Sequence, residues 1–137
     1  MKFTSLVFIM IFASITNQNG TDLKCSDFKK GEFELLNIEF NQKYIIKRDG
    51  DFQTEETYNL ETGEKIGSDK YFKIQWISGC EYYLIIDTIR SKYNETDLFI
   101  NSKGGLNTKI LNIENNCASI ITSLENKKVE SKLCKIK

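Results

Sequence analysis

The sequence contains no histidine and no proline, and only two of its 19 basic residues, Arg48 and Arg90, are arginine. Without histidine there is no Ser–His–Asp or Cys–His triad, no imidazole metal ligand and no general base of ordinary pKa near neutrality. Without proline there are no Pro-rich linkers or polyproline ligand segments. The scarcity of arginine removes the side chain best suited to bidentate phosphate and base contacts. The 19 acidic residues balance the 19 basic ones, so neither nucleic acid nor an anionic membrane meets an electrostatic footprint. The apolar run Leu6–Ala13 falls far short of the ~20 residues a membrane-spanning helix needs. A transmembrane anchor is therefore not expected.

What remains is the mixture of one ordered globular domain: 137 residues, 40% apolar, 12% aromatic and 28% charged. The N-terminus has the charge–apolar–polar order of a secretory signal. Lys2 precedes the apolar run Leu6–Ala13, and polar Thr16-Asn17-Gln18-Asn19-Gly20 follows. We read residues 1–20 as a signal peptide, residues 21–137 as a single domain, and the product as secreted or periplasmic. Cys25 is not a lipidation site, because Lys24 stands before it where a small residue is required and Asp22 stands three before it where an apolar one is.

All four cysteines, Cys25, Cys80, Cys117 and Cys134, fall after that segment. An even count in an exported chain reads as two disulfides with three possible pairings. Their wide spacing lacks the close pairs of a structural zinc site, and no other metal or cofactor is implied. Cys117 and Cys134 flank two β-like runs around the polar turn Glu125-Asn126-Lys127-Lys128. Folding a hairpin about the midpoint sets them opposite each other at the ~4.5 Å of a non-hydrogen-bonded pair, within disulfide reach. That leaves Cys25 with Cys80.

The pattern beyond residue 30 has period 2. Glu32-Phe33-Glu34-Leu35 alternates, then Leu36-Asn37-Ile38-Glu39-Phe40 alternates in the opposite phase, as across a β-bulge. Tyr44–Lys47 is a second strand, followed by the Asp49-Gly50 turn signal and a half-exposed run Phe52–Leu60. Residues Glu61–Glu64 and Gly67–Asp69 read as loop. Phe72, Ile74 and Trp76 share one face, and Cys80–Asp87 is apolar on both faces, as in a central strand. The rhythm breaks between Arg90 and Gly105, where a short helix or long loop is expected. Strands return at Thr108–Ile113, Ala118–Leu124 and Lys128–Ile136. The fold class is all-β: an antiparallel meander of about eight strands closing into a small lipocalin-like barrel, with a β-sandwich as runner-up.

Three clusters of residues carry a resemblance: Cys25-x-x-Phe28-Lys29-x-Gly31-x-Phe33, then Arg48 with Gln53-x-Glu55, then Trp76-x-x-x-Cys80-x-Tyr82-x-Leu84. Together they resemble a family of small exported bacterial proteins of the flavobacterial type, some labelled "DNA topoisomerase IV". The resemblance spans about residues 25–86. It implies export, the barrel and the Cys25–Cys80 pairing, but no activity. A topoisomerase activity is incompatible with a neutral, exported chain that has no phosphate-cradling glycine loop.

Other constellations are weaker. Glu55 and Glu56, near Asp49 and Asp51, could offer paired carboxylates for glycoside hydrolysis. Neighbours on a strand face opposite ways, however, so a solvated strand is the simpler reading. Asp49-Gly50-Asp51 lacks the spacing of a calcium loop and suits a hairpin turn. Lys29-Lys30 and Lys127-Lys128 read as solvated pairs. Asn94-Glu95-Thr96 matches a glycosylation acceptor, relevant only in a eukaryotic secretory route.

These readings leave three classes of function. The first is a non-catalytic binder of a small apolar ligand or a protein partner. The second is an envelope structural or inhibitor-like protein acting through its surface, and the third is a carboxylate-based hydrolase. The first is preferred. Its ligand is expected in the apolar interior near Phe72, Ile74, Trp76, Tyr82 and Leu84, the densest aromatic and aliphatic stretch. If the interior is filled, the loop holding Tyr93, Leu98, Phe99 and Ile100 becomes the contact surface.

Overall fold

The computed structural model describes residues 22–137; the expected signal segment lies outside them. Eight antiparallel strands close into a barrel in simple sequence order. They are β1 (Lys30–Asn37), β2 (Gln42–Asp49), β3 (Phe52–Asn59), β4 (Lys65–Ser78), β5 (Glu81–Ile86), β6 (Leu106–Glu114), β7 (Cys117–Leu124) and β8 (Lys127–Lys135). One 3-10 turn, Cys25–Phe28, precedes β1, and one helix, α1 (Glu95–Ser102), lies between β5 and β6. The barrel, rather than the sandwich, follows from the last pairing. Phe33, Glu34 and Leu35 of β1 lie opposite Lys135, Cys134 and Leu133 of β8, a seam of three residue pairs that closes the sheet on itself.

Tight turns make this closure possible. Two residues join β2 to β3 at Gly50-Asp51, β6 to β7 at Asn115-Asn116, and β7 to β8 at Glu125-Asn126. Each starts with a residue at positive φ: Gly50, Asn115 or Glu125. The left-handed region costs glycine nothing and asparagine little. The hairpin about Glu125-Asn126 sets Cys117 opposite Cys134, and they are disulfide-bonded with Cα atoms 4.0 Å apart. Cys25 and Cys80 form the second disulfide, tying the 3-10 turn to the β4–β5 connection.

Two expectations of local structure are corrected. No bulge interrupts β1 at Leu35-Leu36, because its register with β2 is continuous from Lys30 to Asn37. The change of phase arises because Leu36 points outward, while Ile38 and Phe40 have left the strand for the turn; all three are exposed. The Gly67–Asp69 segment belongs to β4 rather than to a loop. One irregularity falls there, where the β3–β4 register shifts between Glu55 and Thr57 and Gly67 takes a positive φ, and two more fall between Trp76 and Ser78 and between Ile110 and Asn112. A bulge of this kind bends the strand and tightens its twist, which a closing barrel requires.

Inside, two apolar clusters meet. One gathers Phe28, Phe33, Ile46, Ile110, Ala118, Ile120 and Leu133, with Phe28 of the 3-10 turn stacked on Phe33 at 5.5 Å. The 3-10 turn therefore closes the end of the barrel that carries both disulfides. The other cluster gathers Phe72, Ile74, Tyr82, Leu84 and Ile86, with Ile100 of α1 packed against it. Helix α1 starts with Asn94 and Asp97 capping each other's backbone N–H groups, an arrangement that satisfies two free donors. Its Asn101 side chain then bonds both the N–H and the C=O of Ile86, just past the point where β5 stops pairing with β6. Among the described residues no helix is long and apolar enough to cross a membrane.

Candidate functional site

The barrel interior is not uniformly apolar. Arg48 is 5% exposed and Gln53 is 2% exposed, and both point inward where β2 and β3 leave their shared turn. Three N–H groups of Arg48 are engaged. Nε donates to Gln53 Oε1 at 2.7 Å, Nη1 to the Phe28 carbonyl at 3.0 Å and Nη2 to the Tyr82 hydroxyl at 2.6 Å. The guanidinium also lies 4.6 Å from the centroid of the Tyr82 ring. Gln53 continues the chain, its Nε2 donating to Glu55 Oε2 at 3.2 Å. Gln53 thus bridges a buried cation and a carboxylate, and a charge removed from water needs such compensation.

Strand alternation places Glu55 on the same inward face as Gln53 and sends Glu56 outward. Outside, Glu56 bonds the Tyr58 hydroxyl and Lys47, and the Tyr58 hydrogen bond holds its carboxyl below the usual carboxylate range. Paired catalytic carboxylates at 55 and 56 therefore do not form. Glu55 is half-buried as a residue because part of it faces a cavity. Its desolvation outweighs the Gln53 hydrogen bond and the charges of Lys70 and Arg48, so its pKa is raised. The Tyr44 hydroxyl is also raised, first by burial and then by the charge of Glu55. Opposite Glu55 on β4, Lys70 is bonded to the buried Asp97 of α1 at 2.8 Å.

The cavity has a volume of about 140 Å³. Arg48, Gln53 and Tyr82 lie toward the disulfide end and Glu55 midway. Leu35, Tyr44, Leu106 and Thr122 lie where their strands approach the α1 end. Ile46, Leu84, Ile120 and Leu133 supply further apolar wall. Thr108 and Thr122 bond each other at 3.2 Å, which satisfies hydroxyls that would otherwise be costly to bury.

The expected ligand-contacting residues divide. Tyr82 and Leu84 line the cavity. Phe72 and Ile74 are buried in the adjoining cluster, and Ile74 with Trp76 also borders an open surface depression beside Asp51, Phe52, Lys73 and Gln75. Trp76 sits at the disulfide end, 4.7 Å from the Tyr82 ring, with its indole N–H donated to the Gly50 carbonyl and Lys29 4.9 Å over its face. In the segment offered as a contact surface, Tyr93, Leu98 and Phe99 are exposed but Ile100 turns into the core. Sequence reasoning missed Arg48, Gln53 and Glu55 as interior residues. The available signal was their two-residue spacing, 53 and 55, on a strand whose other face holds Glu56 and Tyr58. Phe28, Phe33, Arg48, Gln53, Glu55, Trp76, Tyr82 and Leu84 form or adjoin the interior site. Comparison with known proteins adds no family to this picture, since no family model, no curated protein and no solved structure matches the chain.

The raised pKa of Glu55 makes a stability prediction. The folded state holds this proton more tightly than the unfolded chain. Stability from Glu55 is therefore fully present below its ordinary pKa of ~4.3 and is lost as pH rises through the higher folded value. Glu55→Gln should be more stable than the parent protein at pH 7, and its advantage should shrink as pH falls toward 4. Thermal melts across that range check this; a variant less stable than the parent at pH 7 contradicts it.

Proposed function

We propose that this protein is an exported, non-catalytic barrel that holds one small apolar ligand in its interior. The observation that carries the reading is the cavity of about 140 Å³ between the Arg48–Gln53–Glu55 network and the α1 end of the barrel. A dry cavity of ~150 Å³ accepts benzene, whereas drug-sized ligands occupy ~300 Å³ or more. The size therefore favours a single ring or its equivalent over fatty acids, retinoids or flavins. Two disulfides fit an oxidising compartment, in keeping with the leader read at residues 1–20. As for catalysis, Glu55 is the one carboxylate among the residues lining the cavity, while glycoside hydrolysis requires two, ~5–9.5 Å apart.

Calorimetric titration with one-ring probes such as toluene, phenol and indole tests the reading. Saturable one-to-one binding is expected, abolished by Leu106→Phe, which fills the cavity near the α1 end while far-UV circular dichroism stays unchanged. The reading fails if no probe binds, or if Leu106→Phe binds them as the parent does.

A second reading has its own support. Ile38 is 80% exposed and Phe40 65% exposed in the β1–β2 turn. That turn meets the β3–β4 turn through the Leu60 N–H and the Asn41 carbonyl, bringing half-exposed Leu60 alongside. Adjacent exposed apolar side chains on a rim are a feature of protein-contact surfaces. Under this reading the protein acts on an envelope partner from its outside, as a structural or inhibitor-like protein.

A further inference from the structure

The polar groups lining the cavity differ in what they have left to offer. Gln53 uses its oxygen on Arg48 and its nitrogen on Glu55. The Tyr44 hydroxyl donates to Gln42 Oε1 at 2.7 Å, and Thr108 and Thr122 are paired with each other. Arg48 and Tyr82 are bonded together and expose 5% and 1% of their surface. Lys70, which faces Glu55 from β4, is held by Asp97. Glu55 is different. Among the described residues its carboxylate accepts one hydrogen bond, on Oε2, and Oε1 has no hydrogen-bond donor although the residue forms part of the cavity wall.

We propose, building on the ligand-holding reading above, that the interior site selects a small molecule whose apolar body carries one hydrogen-bond-donating head, and that Glu55 Oε1 accepts from that head. The chemistry of the lining supports this choice over its rivals. A pure hydrocarbon would cover the carboxylate without replacing the water it displaces, leaving a buried acceptor unsatisfied. A carboxylate head would set two acceptor groups of like charge together. A hydroxyl or amine head satisfies Oε1, while its ring rests on Ile46, Leu84, Ile120 and Leu133.

The test compares phenol, benzyl alcohol, toluene and benzoate, each titrated at pH 7 against the intact disulfide-bonded protein by calorimetry or ligand-observed NMR. The parent protein should bind phenol or benzyl alcohol about tenfold or more tightly than toluene, the range of one charge-assisted hydrogen bond, with benzoate weakest. Glu55→Met keeps the side-chain length and removes the acceptor, so the preference should vanish and toluene should bind at least as well as phenol. Glu55→Gln keeps an acceptor oxygen and should retain part of the preference, which guards against a general effect of substitution. If toluene matches phenol in the parent, or if Glu55→Met leaves the ratio unchanged, the donor-head proposal is wrong while the cavity remains a ligand site. If none of the four binds, the ligand-holding reading falls as well.

Discussion

Arg48→Met is expected to lower the stability of the barrel by about 3–5 kcal/mol, because three interior acceptors lose their donor at once. Methionine matches the length of the arginine stem but carries none of its donors. The Phe28 carbonyl, Gln53 Oε1 and the Tyr82 hydroxyl would each lose a hydrogen bond in the interior, and each unsatisfied group costs ~1–3 kcal/mol. Small domains have only ~5–15 kcal/mol in total, so a large share of the margin would go. Urea denaturation followed by Trp76 fluorescence should show a lower midpoint with an unchanged slope, which separates lost stability from a changed denatured state. The substitution also removes a positive charge that draws the Glu55 pKa down, so that pKa should climb further. Replacing the set together, Arg48→Met with Gln53→Leu and Glu55→Met, should recover part of the loss, because an apolar replacement of a whole buried charged set is often close to neutral, whereas keeping Gln53 would leave its buried amide without either partner. A change under about 1 kcal/mol in the single variant would show that the network contributes little.

The barrel was largely legible in the sequence because a strand's period of two survives even in a small closed sheet. The Asp49-Gly50 turn, the Phe72-x-Ile74-x-Trp76 face and the hairpin between Cys117 and Cys134 are local patterns, and local sequence suffices to read them. The interior network was not legible for a physical reason. Alternation states which residues share a face but not which face is inside. On β3 the apolar choice would be Phe52 inward, yet Phe52 is 53% exposed and Gln53 is buried. Gln53 can turn inward because Arg48 meets it across the β2–β3 hairpin, and Arg48 can be buried because Tyr82 of β5, 34 residues away, bonds it in turn. A compensating partner at that distance leaves no mark in a local window. The same limit explains Ile100. Read within its polar stretch it belongs to an exposed loop, but helix α1 packs it against the cluster that includes Leu84 and Ile86 of β5. The helix start is readable in Asn94-Glu95-Thr96-Asp97, where Asn94 and Asp97 cap each other's backbone and the same asparagine opens the glycosylation pattern.

Removing the Cys25–Cys80 disulfide should destabilise the protein more than removing Cys117–Cys134, although both are expected to matter. Chain entropy supplies the first part of the difference. The Cys25–Cys80 bond spans 55 residues and the Cys117–Cys134 bond spans 17, which corresponds to about 4 and about 3 kcal/mol of constraint on the unfolded chain. Native structure supplies the second part. Cys117 and Cys134 already face each other across β7 and β8, which stay paired along eight positions without the bond. Cys25 has no strand partner. Besides the disulfide, its segment is held by the Leu23 N–H on the Asn115 carbonyl, Asp22 on the Asn115 N–H, the Lys135 ammonium on the Asp27 carbonyl, the packing of Leu23 on the core, and the Phe28 contacts to Arg48 and Phe33. Freed from Cys80, the 3-10 turn should loosen and let water reach Arg48, Phe33 and the floor of the cavity. Cys25→Ser/Cys80→Ser should therefore show faster hydrogen exchange at Arg48 and Tyr82 as well as a lower urea midpoint. Cys117→Ser/Cys134→Ser should lower the midpoint less and leave exchange at those two residues unchanged. The opposite order of midpoints, or faster exchange at Arg48 only on loss of Cys117–Cys134, would mean that the 3-10 turn is held in place by its packing and not by its disulfide.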